Sequence, residues 1–149
     1  MNKEEILEQL SITHQGGGFS PLAGKILGVF YLSNDKYLTF NDLVEITGAT
    51  KGAVSKALKS LKDKHRVDSI LDPNSSRKRL FYLDSDGIST YMDLVVQNMT
   101  RETELIDECV SRRNDNAPDI KELMSKTVTF NKEIIQFLKL VTHKYFPKD

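Results

Sequence analysis

Apolar positions recur at helical spacing through most of the chain and give way to two short extended runs near its middle. The first helical segment is Asn2 to Thr13, with Ile6, Leu7, Leu10 and Ile12 on its apolar side. Glu4 and Glu5 fall in its first turn, where the helix dipole favours acids. Gly16-Gly17-Gly18 breaks it. Ser20 then caps a second helix with Pro21 at its first position. That helix, Leu22 to Leu32, is apolar nearly all round, which marks it for the centre of the core. Ser33 to Lys36 is a loop.

The stretch from Thr39 to Arg79 is the most highly organised. Thr39 can cap a short helix, answered three residues on by Asp42, with Leu43, Val44 and Ile46 on the apolar side. Gly48 stands just past its end, where positive φ closes a helix at little steric cost. Thr50 caps the next helix. There Val54, Leu58 and Leu61, with Ala53 and Ala57 beside them, form a stripe expected to be buried, and Gly52 keeps the start of the helix small. Lys51, Ser55, Lys59 and Lys62 recur on another face, with Lys56 at its edge. His65 to Leu71 and Arg79 to Leu83 read as strands around the turn Asp72-Pro73-Asn74-Ser75-Ser76, and Arg77-Lys78-Arg79 close the tip. Helix, glycine turn, helix and hairpin make the outline of a winged helix-turn-helix.

Beyond the hairpin, Asp84 to Gly87 end the strand and cap a long helix. Ile88, Met92, Val95, Met99, Ile106 and Cys109 follow a four-three spacing in it, interrupted at Glu102, and so form a seam for another helix. Arg112 to Asn116 interrupt the pattern, and Pro118 starts a last helix running to about Tyr145. These two helices carry more apolar surface than a small core needs. The expected outlet is a second copy of the chain; the alternative is a monomer whose helices fold back on the core. The expected fold class is mainly α with a small β-hairpin wing. A winged helix-turn-helix core with N-terminal helices spans residues 1–85, and a helical dimerisation region spans 86–149.

Charge sharpens this picture. The formal net charge of the 149 residues is zero, but it is unevenly spread. Residues 1–50 are net −3, residues 51–79 are net +6, and the remainder is net −3. A basic block between acidic flanks is the footprint of a polyanion-binding surface. The lysine face alone fits an ordinary solvated helix better than a recognition helix, since lysine is a common surface residue; the basic hairpin tip beside it reverses the balance, with Arg77, Lys78 and Arg79 on backbone phosphates. Thr50, Lys51, Gly52 and Ser55 lie at the helix N-terminus, where N–H groups attract phosphate. Lys56 and Lys59 are candidates for phosphate or guanine contacts.

Other chemistries find little support. His14, His65 and His143 are scattered, with no HxxxH or cysteine partner, so no metal is expected. No serine or cysteine lies in a nucleophile motif, and Asp84 and Asp86 read as capping residues. The glycine triplet has no preceding strand and no GK[ST], so it reads as a flexible connection. No cofactor and no enzymatic activity are expected. The longest apolar run, about Ile26 to Leu32, is far short of the ~18 residues a membrane helix needs, and the acidic, polar N-terminus does not resemble a signal peptide. A single cysteine, Cys109, excludes an internal disulfide framework and suits a reducing cytoplasm. The neighbouring Asp107 and Glu108 disfavour its thiolate.

Three segments carry a family resemblance. Gly18-Phe19-Ser20-Pro21-Leu22-Ala23-Gly24-Lys25-Ile26-Leu27-Gly28 is similar to the G-x-x-P-x-x-G-R-I-x-G run of the GbsR branch of the MarR superfamily of winged-helix regulators. Thr50-Lys51-Gly52-Ala53-Val54-Ser55 is similar to that branch's S-K-G-x-V-S, and Arg77-Lys78-Arg79-Leu80-Phe81-Tyr82 to its R-K-x-x-[YF] wing. Lys25 stands in place of the usual arginine and Thr50 in place of serine. The resemblance implies a homodimeric transcriptional regulator, commonly a repressor, on a pseudo-palindromic operator of double-stranded DNA, open to control by a small molecule. An effector pocket would lie between core and dimer helices, with Tyr91, Phe130 and Phe137 as candidate lining able to hold a quaternary ammonium, or simply as core aromatics. The rival function is a winged-helix interaction module using the basic face on an acidic protein.

Overall fold

In the computed structural model, which describes residues 1–148, the helix-turn-helix and hairpin form where the pattern predicts them. The elements are α1 (Lys3–Gln15), α2 (Pro21–Leu32), β1 (Leu38–Thr39), α3 (Phe40–Thr47), α4 (Lys51–Asp63), β2 (Val67–Leu71), β3 (Arg79–Leu83), α5 (Gly87–Arg112) and α6 (Pro118–Tyr145). They fall into two units, Met1–Gly87 and the residues from Ile88 onward.

In the first unit each early helix starts on a side-chain cap. Asn2 and Glu5 form a reciprocal capping box on α1, at 2.9 and 2.8 Å. Ser20 Oγ accepts from the Ala23 amide on α2, and Thr39 and Asp42 form a second box on α3, at 3.0 and 2.9 Å. Thr50 Oγ1 accepts from the Ala53 amide at the head of α4. Each such cap contributes about 1 kcal/mol. Gly48 ends α3 at φ 67°, and its amide reaches the Val44 carbonyl.

α4 closes differently. His65 adopts φ 58°, its amide donates to the Lys62 carbonyl, and the Arg66 amide donates to the Leu61 carbonyl. These are the two bonds of a Schellman ending, with histidine in the left-handed place glycine usually takes. The strand expected from His65 therefore begins only at Val67.

The core is built on α2. Ile26 and Leu27 meet Leu43 of α3, Val54, Leu58 and Leu61 of α4, and Val67 and Phe81 of the sheet. Burying each such side chain contributes about 1.5–3 kcal/mol. Two expected apolar positions fall outside it. Ile12 is 54% exposed because the contact face of α1 runs through Leu7, Leu10 and Ser11 instead. Ser11 is buried and donates its hydroxyl to the Pro21 carbonyl at 2.8 Å. α1 approaches α2 so closely that a methyl group on Gly24 would stand 2.9 Å from the Leu10 carbonyl oxygen. Ile46 is 52% exposed, since Leu43 and Val44 already supply the inner face of a helix of only eight residues.

The sheet is antiparallel in the order β1-β3-β2. β1 is only two residues, with Leu38 opposite Phe81 and Thr39 opposite Leu80. Its partner β3 pairs on the other side with β2, Ser69 opposite Phe81 and Leu71 opposite Arg79. Asp72 shapes the wing turn: its carboxylate accepts from the Asn74 amide and its own amide donates to the Lys78 carbonyl at 2.7 Å.

In the second unit α5 and α6 run antiparallel, side by side. Asp93 pairs with Lys148 at one end, Asn131 Nδ2 donates to Thr103 Oγ1 at 3.2 Å in the middle, and Arg113 meets Met124 Sδ at the other end. The seam differs from the expected one. After Met99 the next position on the same face is Thr103 rather than Glu102; Thr103 is buried and donates to the Met99 carbonyl, while Ile106 and Val110 continue the stripe. Cys109 falls one position off it and is exposed, as is Ile88. At the turn Arg113 holds Asp115 at 2.8 Å, and that hydrogen bond keeps the Asp115 carboxyl below its ordinary range.

Candidate nucleic-acid interface

α4 divides cleanly into two faces. Val54, Ala57, Leu58 and Leu61 are buried, while Lys51, Gly52, Ser55, Lys56 and Lys59 are exposed, as is the cap Thr50. The buried stripe anchors the helix to α2, so the polar face is presented on a rigid element rather than a loop. The first turn of α4 contains no acid, which leaves the positive end of the dipole unopposed from within the helix. Arg77, Lys78 and Arg79 are exposed on the wing.

The polar face of α4 and the base of the wing converge. Lys62 Nζ donates to Ser69 Oγ at 3.0 Å, and Arg79 Nη1 reaches the same oxygen at 3.4 Å. Between α4 and the sheet lies a groove of about 380 Å³ lined by Ser55, Lys59, Lys62, Asp63, Ser69 and Arg79, with Phe40, Leu58 and Phe81 as apolar wall. Lys62 also stands 3.9 Å from Asp68. Lys62 belongs to the lysine face that the spacing marks, whereas nothing in the sequence marks Ser69; their meeting depends on how β2 packs against α4, a non-local fact that spacing along the chain does not encode.

Two bases of the central block are engaged elsewhere. Lys64 donates to the Gly18 carbonyl at 2.8 Å and lies 4.2 Å from the centroid of the Phe19 ring. Arg66 lies 5.8 Å from the same centroid and donates to the Tyr31 hydroxyl at 2.7 Å. These residues tie the end of α4 to the α1–α2 connection. His14 packs edge-on against the same Phe19 ring, and burial, followed by the charge of Arg66, holds its pKa below the ordinary histidine value.

The aromatic residues considered for an effector pocket are exposed: Tyr91 at 48%, and Phe130 and Phe137 at 61% each. A cavity of about 520 Å³ in the second unit is lined by other residues, including Thr103, Glu104, Asp107, Glu133, Ile135 and Gln136. Among the described residues no group of three His, Cys, Asp or Glu is placed to hold a metal ion, and no helix is long and apolar enough to cross a membrane.

No family model matches the chain. It is similar to the HTH-type transcriptional repressor OpcR of Bacillus subtilis, 25% identical over 99 residues, covering 66% of this chain and 52% of that protein. It is also similar to the putative HTH-type transcriptional regulator YvaV of the same organism, 24% identical over 92 residues, with 62% and 51% covered. The chain thus spans about half the length of the curated relatives it matches. A crystal structure of a transcriptional regulator superposes on 98% of the chain and 99% of its own length with a TM-score of 0.73, at 15% identity. The fold is the winged helix-turn-helix, mainly helical with a small antiparallel wing.

Proposed function

We propose that the chain is a sequence-specific, DNA-binding transcriptional regulator of the MarR superfamily, in its GbsR-like branch, acting as a repressor in the cytoplasm. The observation that carries this reading is the division of α4. One face is locked into the core by Val54, Leu58 and Leu61, and the other exposes Lys51, Ser55, Lys56 and Lys59 beside a wing bearing Arg77, Lys78 and Arg79. The likeness to two HTH-type regulators supports it.

In this reading α4 enters the major groove N-terminus first. Thr50, Lys51, Gly52 and Ser55 meet the backbone where the dipole and free amides favour phosphate. Lys56 and Lys59 reach phosphates or guanine edges, since lysine donates to the acceptors guanine exposes there. The wing follows the flanking backbone. The role is binding rather than catalysis.

A homodimer places two recognition helices about one DNA turn, ~34 Å, apart. Support for it comes from the second unit, whose helices leave Leu94, Leu105, Leu123, Phe130, Phe137 and Leu140 between 45% and 70% exposed. Apolar surface of that kind marks an interface. Footprinting on the DNA upstream of the chain's own gene tests the reading: two protected half-sites with centres about 10 base pairs apart are expected. Uniform cleavage at saturating protein would contradict it.

A further inference from the structure

We propose that the groove between α4 and the wing is a seat for one phosphodiester of the DNA backbone, with Lys62, Ser69 and Arg79 as its ligands and Lys59 at its rim. The proposal rests on the DNA-binding reading above and adds two residues, Lys62 and Ser69, to the interface.

Ser69 is the centre of the argument. A hydroxyl has one donor and two acceptor lone pairs. Both acceptor sites are taken, by Lys62 Nζ at 3.0 Å and Arg79 Nη1 at 3.4 Å. The O–H itself donates to nothing among the described residues. The groove therefore presents two cations from different elements, held by a shared oxygen, and a free donor between them. Lys59 and Ser55 line the same groove. The acids close by are Asp63, on its lining, and Asp68, 3.9 Å from Lys62 and half-exposed. Asp68 Oδ1 accepts from the Ser69 amide at 2.8 Å, and among the described residues neither acid forms an ion pair with Arg79. The apolar wall of Phe40, Leu58 and Phe81 keeps water from one side, which strengthens any ion pair formed there. A single negative charge with two acceptor oxygens satisfies all three donors. An arginine fork and a lysine ammonium around one phosphate is ordinary recognition chemistry. Arg79 on this account turns into the groove, while Arg77 and Lys78 remain at the wing tip.

The seat makes a non-additive prediction. Each phosphate neutralised contributes about −0.9 to the slope of log K against log salt. On a shared phosphate, Lys62→Gln or Arg79→Gln alone leaves the other cation to neutralise it and changes the slope little, whereas the double variant lowers its magnitude by about 0.9. The experiment is fluorescence anisotropy of the full chain on a duplex that the parent protein binds, over a salt series, with melting curves confirming that the variants fold. Ser69→Ala is expected to weaken binding several-fold and Ser69→Thr, which keeps the hydroxyl, to restore it. A second arm leaves the protein unchanged and places single methylphosphonates along the duplex. One position per half-site should weaken the parent and leave the double variant indifferent.

A slope loss near 1.8 in the double variant would mean two separate phosphates and overturn the shared seat. An unchanged slope in the double variant, or no methylphosphonate position coupled to Lys62 and Arg79, would overturn it while leaving the DNA-binding reading intact. A parent protein that binds no duplex would remove both together.

Discussion

Gly87 begins α5, and a side chain there has nowhere to go. A methyl group built on it would overlap the His65 carbonyl oxygen, lie 2.8 Å from the carbonyl carbon and 3.2 Å from Asp84 Cβ. The obstacle is backbone, so relief by a rotamer change is not available. The backbone in question is already committed, because His65 sits at φ 58° and closes α4 through the Leu61–Arg66 and Lys62–His65 hydrogen bonds. Gly87→Ala must therefore displace either the start of α5 or the Schellman ending of α4. Overpacking costs typically 1–3 kcal/mol when side chains can adjust, so a rigid neighbour places this variant near or above the top of that range, about 3 kcal/mol. For a chain of this size that corresponds to a fall in Tm of about 6–12 °C. Circular dichroism melting measures it. Gly52→Ala is the control: nothing lies within 4 Å of its added methyl, and the change should stabilise by about 0.5–1 kcal/mol. A Gly87→Ala melt within about 2 °C of the parent would refute the close approach of Gly87 to the His65 carbonyl as the reason for glycine at this position.

Three further outcomes follow from the structure. Thr103→Val keeps the shape of a buried position but removes the acceptor of the Asn131 amide, and should cost about 1–3 kcal/mol in urea unfolding; no change would mean the amide finds another partner. His14 has a folded pKa below its unfolded value, so the unfolded chain binds more protons and stability falls as pH drops through and below the ordinary histidine range near 6.5. His14→Asn should flatten that part of the stability profile between about pH 7 and 5, and an identical profile would assign the pH dependence elsewhere. Arg77→Ala, at the exposed wing tip, should weaken binding to all duplexes alike and lower the salt slope by about one; a change in sequence preference instead would mean it reads bases.

Most of the first unit was legible because its signals are local. Thr39 with Asp42, Ser20 with Pro21, and Gly48 after Thr47 each announce a helix end within four residues, and each end forms as expected. The buried stripe of α4 was legible from its 3.6-residue period. What escaped was non-local or too short. β1 is two residues beside a helix cap and exists only because β3 offers it an edge. His65 closes a helix in a conformation that glycine usually advertises, so nothing in the residue type marks it. Lys64 and Arg66 belong to the basic block by charge yet turn to Phe19, Gly18 and Tyr31, a choice made by packing. Lys62, Ser69 and Arg79 are brought together by the register of the sheet and its distance from α4. On α5 the seam was mis-stepped at Glu102 because a polar residue, Thr103, holds the buried place.

The measurement that bears most directly on the proposed function is fluorescence anisotropy of the purified chain on its own upstream DNA and on a scrambled duplex of equal length, at ~50 and ~200 mM salt. Tight binding to the first, weaker binding to the second, and a loss of affinity for both of several orders of magnitude with salt are expected of a basic recognition helix and wing. Absence of binding to either duplex at the lower salt would contradict a DNA-binding role for the α4 face.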